Sequence, residues 1–92
     1  MNSIIINHNH NLGHETACTK VDSMLDDLKQ KYNLKIDSKS SSIICFSGSG
    51  ISGNVDIYEN EIQVTAKLSF LMSAMKPLIE TELKKELEEH FS

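Results

Sequence analysis

The chain has 92 residues, 39% of them hydrophobic, with nine basic and thirteen acidic side chains for a formal charge of −4. Such a length suits one domain with one modest core, and an acid excess without a basic stripe argues against nucleic acid and anionic lipid as partners. Two cysteines, Cys18 and Cys45, make neither a disulfide framework nor a Cys-x-x-Cys pair, and no run approaches the roughly 20 apolar residues of a membrane span.

Residues 3–8 read as a first strand carried by the β-branched Ile4, Ile5 and Ile6. No basic segment precedes that short apolar run, so the reading is a cytoplasmic protein with reduced thiols rather than a secreted one. Asn9-His10-Asn11 is turn chemistry able to cap a helix. Ala17, Val21, Met24, Leu25, Leu28 and Tyr32 then recur at spacings of three and four, which predicts an amphipathic helix over 12–32. Asn33 follows in the position that favours a left-handed backbone. A brief strand over 34–36 and a Ser/Lys-rich loop over 37–42 come next.

A third strand covers 43–46, and Gly48-Ser49-Gly50 interrupts it as a bulge or sharp bend. Ile51, Gly53, Val55 and Ile57 alternate as a fourth strand, Glu59-Asn60 is a tight turn, and 62–68 is a fifth. Closely spaced strands pair as hairpins. The prediction is therefore α+β, an antiparallel β-meander in the order β-α-β-β-β-β-α, with two amphipathic helices on one face. Two helices on one face leave the other face bare, and a homodimer is one way to cover it.

The hydrophobic period changes at Leu68. Leu71, Met72, Met75, Leu78, Ile79, Leu83, Leu87 and Phe91 continue from it at helical spacings. Pro77 falls inside this stretch. The favoured placement is a helix from about Phe70 with a bend around Met75–Pro77; the alternative starts the helix at Pro77, where proline suits the first turn, and leaves 70–75 irregular.

Among residues that could carry chemistry, Gly48-Ser49-Gly50-Ile51-Ser52-Gly53 satisfies G-x-G-x-x-G, but a strand follows it where a dinucleotide site needs a helix N-terminus. His8, His10 and His14 are the one ligand-like group, three imidazoles able in principle to hold zinc. Their place at a strand-to-helix turn favours solvated turn residues, so no metal and no cofactor are assigned. Cys18 lies one helical turn after His14, yet lacks an orienting third group for covalent catalysis. Glu80, Glu82, Glu86, Glu88 and Glu89 read with Lys84 and Lys85 as a solvated face, without paired carboxylates for acid–base work. Phe70, Leu71, Met72 and Met75 remain. Core packing is their simplest reading; the functional one is an adaptable apolar contact for a partner or ligand, which methionine suits.

Ile4-Ile5-Ile6, His10-Asn11-Leu12-Gly13, Ala17 and Tyr32-Asn33-Leu34 resemble the opening of the small "putative polyhydroxyalkanoic acid system" proteins. Phe46, Gly50-Ile51-Ser52-Gly53, Ile62-Gln63-Val64, Leu68-Ser69-Phe70-Leu71 and Ile79-Glu80 continue that resemblance through nearly the whole chain. Relatives often carry a tryptophan in the strand after Leu34, where Asp37-Ser38-Lys39 stands here. The resemblance implies a context of polyhydroxyalkanoate storage-polyester synthesis and use. The expectation is a non-enzymatic accessory protein, cytoplasmic or at the granule surface, with the granule surface or granule proteins as partners. Its rival is a small carrier gripping a hydroxyacyl or fatty ligand between the sheet and the C-terminal helix.

Overall fold

Alternating side chains can bury one face of a strand and wet the other, and the computed structural model, which describes residues 3–91, builds its sheet on that division. The elements are β1 (Ser3–Asn9), α1 (Gly13–Tyr32), β2 (Lys35–Lys39), β3 (Ile43–Gly48), β4 (Ile51–Ile57), β5 (Glu61–Leu68), a 3₁₀ turn (Ser73–Met75) and α2 (Lys76–Phe91). The expected α+β order is the observed one. The sheet order is β1-β5-β4-β3-β2, every neighbouring pair antiparallel. Strands β2 to β5 form the meander, while β1 closes onto β5 at the far edge from β2. Helix α1 therefore carries the chain across the whole sheet. Its 20 residues span about 30 Å, more than the roughly 19 Å width of five strands.

The inner rows of the sheet are Ile4–Ala66–Gly53–Phe46 and Ile6–Val64–Val55–Ile44. They join Val21, Met24, Leu25 and Leu28 of α1 and Ile79, Leu83, Leu87 and Phe91 of α2 in one hydrophobic core. At Gly53 a Cβ would collide with the carbonyl oxygen of Thr65, so this row closes only around glycine. The outer rows include Ile5–Thr65–Asn54–Cys45 and Asn7–Gln63–Asp56–Ile43. Asn54 Nδ2 donates to Asp56 Oδ2 at 3.0 Å there. Apart from exposed Ile5 and Ile43, this face is polar, so hydrophobic burial does not itself demand a covering partner.

Local details follow from residue chemistry. Asn33 takes φ 55° and its N–H donates to the Lys29 carbonyl, ending α1 in the left-handed conformation. No side chain of residues 9–11 caps α1 in the expected manner; the Leu12 N–H donates instead to Nδ1 of His10, and Gly13 enters the helix at φ +79°. Strand β2 runs past the expected loop start through Lys39, with its register shifted between Ile36 and Ser38. An exposed edge strand carries little apolar alternation, and the lysines and bulge of β2 protect that edge.

The start of the last helix corrects the favoured expectation. Residues 69–72 form a turn, 73–75 a single 3₁₀ turn, and α2 begins at Lys76 with Pro77 in its first turn. Proline lacks an N–H, and the first turn of a helix has no partner for one. Within α2, Ile79, Leu83 and Leu87 face the core, and Leu78 turns to solvent. Among the described residues no helix is long and apolar enough to cross a membrane.

Candidate functional site

The segment between β5 and α2 is held by its own backbone and by the β3–β4 hairpin. Ser69 N–H donates to the Gly50 carbonyl at 2.9 Å. Met72 N–H lies 3.1 Å from the Ser69 carbonyl and 3.3 Å from its Oγ. Ser73 Oγ donates to the Phe70 carbonyl at 2.7 Å, and Met75 N–H to the Met72 carbonyl at 3.0 Å. Met72 is half-buried and packs on the core, so close to the hairpin that a Cβ on Gly50 would sit 2.5 Å from its Cγ. Gly50 itself has φ +83°, a backbone conformation that favours glycine.

Two anchors, Ser69 and Met72, thus flank Phe70 and Leu71, and the backbone between them turns both side chains outward. Phe70 is 77% exposed and Leu71 90%, with Met75 at 42% and Leu78 at 56% nearby. The core reading therefore fails for Phe70, Leu71 and Met75, and holds in part for Met72. Leu78 is an addition that the helical spacing hid. Beside the segment, an open cleft of about 380 Å³ is lined by Ser47, Gly50, Ile51, Ser52, Lys67 and Ser69. Another of about 280 Å³ lies between α1 and the β2–β3 strands. Between the sheet and α2, where the carrier reading puts its ligand, Ile79, Leu83, Leu87 and Phe91 fill the space.

The other candidates are dispersed or engaged. His10 is buried, with Nδ1 accepting from Leu12 N–H, so its Nε2–H donates to the Tyr58 carbonyl at 3.2 Å. Both of its nitrogens are thereby used. His8 stacks obliquely on Phe91, ring centroids 6.0 Å apart, and His14 lies beside Cys18. The three histidines do not converge as ligands. Cys18 Sγ donates to the Ser41 carbonyl at 3.2 Å, and burial, with Asp22 adding to it, pushes the thiol above its usual range, away from a reactive thiolate. The glycine motif forms a two-residue hairpin turn between the paired Gly48 and Ile51, and the expected strand follows it.

One group escaped the sequence reading. Glu86, assigned there to a solvated face, is 2% exposed and lies at the α1–α2 contact. Its Oε2 accepts from Lys31 Nζ at 3.0 Å, and its Oε1 is 3.4 Å from Nε2 of His90. That same Nε2 is 3.0 Å from Oδ2 of Asp27. The spacing of Glu86 and His90, four apart on one helix, was the available signal.

A family model described as "Putative polyhydroxyalkanoic acid system protein" matches residues 4–91. No curated protein matches the sequence. Among solved structures, the NMR structure of PA4090 from Pseudomonas aeruginosa superposes with a TM-score of 0.52 over 92% of this chain and 83% of that one. At 4% identity the likeness is one of fold alone.

Proposed function

Since the chain belongs to the putative polyhydroxyalkanoic acid system protein family, we propose that it is a non-enzymatic accessory protein of the storage-polyester granule, docking on its apolar surface through Phe70, Leu71, Met75 and Leu78. The observation that carries this reading is the exposure of Phe70, Leu71 and Met75 on one hydrogen-bonded segment, with Leu78 exposed in the first turn of α2, in a chain of net charge −4. A polyester surface is neutral and apolar, so an acidic protein meets no repulsion there. Apolar contact supplies the attraction. The protein would then work in the cytoplasm, at the granule surface.

The test is co-sedimentation of the purified protein with protein-free polyhydroxyalkanoate granules. Binding should be saturable and persist in high salt, because no ion pair is invoked. Sedimentation velocity alongside separates granule docking from self-association through the same side chains. Absence of the folded protein from the granule pellet would overturn the reading.

A further inference from the structure

The contact between α1 and α2 holds a polar group that packing leaves incomplete. Asp27 Oδ2, Glu86 Oε1 and His90 Nε2 converge, all within 4.8 Å of one another. One imidazole N–H cannot serve two carboxylates fully. Asp27 at 3.0 Å takes the hydrogen bond, and Glu86 Oε1, buried and 3.4 Å from the same nitrogen, accepts none. A buried carboxylate oxygen without a donor is unfavourable and points to a missing positive partner. Lys31 is committed to the other oxygen, Oε2, and to Glu82.

We propose that Asp27, Glu86 and His90 bind a divalent transition metal of the zinc class, which ties α1 to α2. Ligand atoms about 2.1 Å from a tetrahedral zinc lie about 3.4 Å apart, close to the 3.0 and 3.4 Å separations seen around Nε2. One imidazole and two carboxylates form a nitrogen–oxygen set suited to zinc, whereas magnesium and calcium prefer oxygen alone. Two carboxylates balance the charge of the ion. The metal takes the Nε2 lone pair, the Nε2 proton leaves to solvent or moves to Nδ1, and Glu86 Oε1 gains its missing partner. Lys31 on Oε2 would then orient the ligating carboxylate. Glu86 and His90, one turn apart on α2, present two ligands from one face, Asp27 adds a third from α1, and water takes the fourth position.

Metal-stripped full-length protein titrated with zinc chloride in a calorimeter tests this. The expected result is one ion per chain and, at a hundredfold excess over Kd, a rise in Tm of roughly 10–20 °C. Cobalt in place of zinc should give the visible bands of four-coordinate geometry. His90→Gln and Glu86→Gln should lose stoichiometric binding. Asp27→Asn, at an exposed position that leaves the fold intact, should weaken it at least about tenfold. Circular dichroism of each metal-free variant separates loss of a ligand from loss of the fold. No stoichiometric uptake by the folded wild type would overturn the proposal, as would uptake that survives His90→Gln or disappears on replacing His8 and His14.

Discussion

Replacing Phe70 and Leu71 together by serine should separate binding from folding. Full burial of a phenylalanine or leucine side chain is worth about 1.5–3 kcal/mol. With 77% and 90% of these side chains still exposed, the pair holds about 2.5–5 kcal/mol for an apolar surface to collect. Each 1.4 kcal/mol is tenfold, so granule affinity should fall by roughly 10²- to 10⁴-fold. Folding should hardly notice. The residues touch little of the core, serine suits the turn, and exposed substitutions stay within about 0.5 kcal/mol, or about 2–4 °C in Tm. Binding isotherms from granule sedimentation, with thermal melts of the same preparations, measure both quantities. A double variant that melts like wild type and still binds granules with wild-type affinity would refute the assignment of the contact to these side chains.

Three further outcomes follow from the packing and the charges. Gly53→Ala should destabilise by more than about 3 kcal/mol in urea titrations, because the added methyl meets backbone of β5 rather than a side chain that can move; an unchanged midpoint would show that β4 can slide. The Glu86 hydrogen bond holds Lys31 above the ordinary lysine value of 10.5, so the pairing stabilises the fold in full below that pH and fades as pH rises through the raised value. Wild type should therefore exceed Lys31→Met in stability at pH 7, and the gap should narrow above about pH 10.5; a gap constant to pH 12 would contradict the pairing. Finally, in a Cys45→Ser background Cys18 should alkylate more slowly than a free thiol at pH 8; equal rates would mean that its contact with Ser41 opens freely.

Much of this architecture is legible wherever burial is one-sided and contacts are local. The alternation over 51–57 and 62–68 identifies β4 and β5, and Asn33 marks the end of α1, because each signal depends on neighbouring residues alone. The outer half of β2, Asp37-Ser38-Lys39, leaves no such signal, because it is exposed on a sheet edge and needs no apolar residue. The pairing of β1 with β5 joins residues some sixty positions apart, which no turn motif announces. The contact site was half visible. Its residues stood out by composition and period, but their exposure depends on anchors at Gly50, twenty positions away. Glu86 was misplaced for the same kind of reason: a glutamate on a charged helix looks solvated until a lysine and an aspartate arrive from another helix.

Gly50 gives the apolar tip an unusual ancestry. The outward pair is positioned by a hairpin turn that carries no apolar contact residue of its own, through one carbonyl and the space left by one absent methyl. Helix α2 only begins after the tip has already been set. Sequence drift along α2, even a lengthened or rotated helix, can therefore proceed without moving Phe70 and Leu71, whereas a change confined to the β3–β4 turn would re-aim them. Variation in how the Phe70–Leu71 pair is aimed should accordingly be sought in that short turn rather than in the long helix beside it.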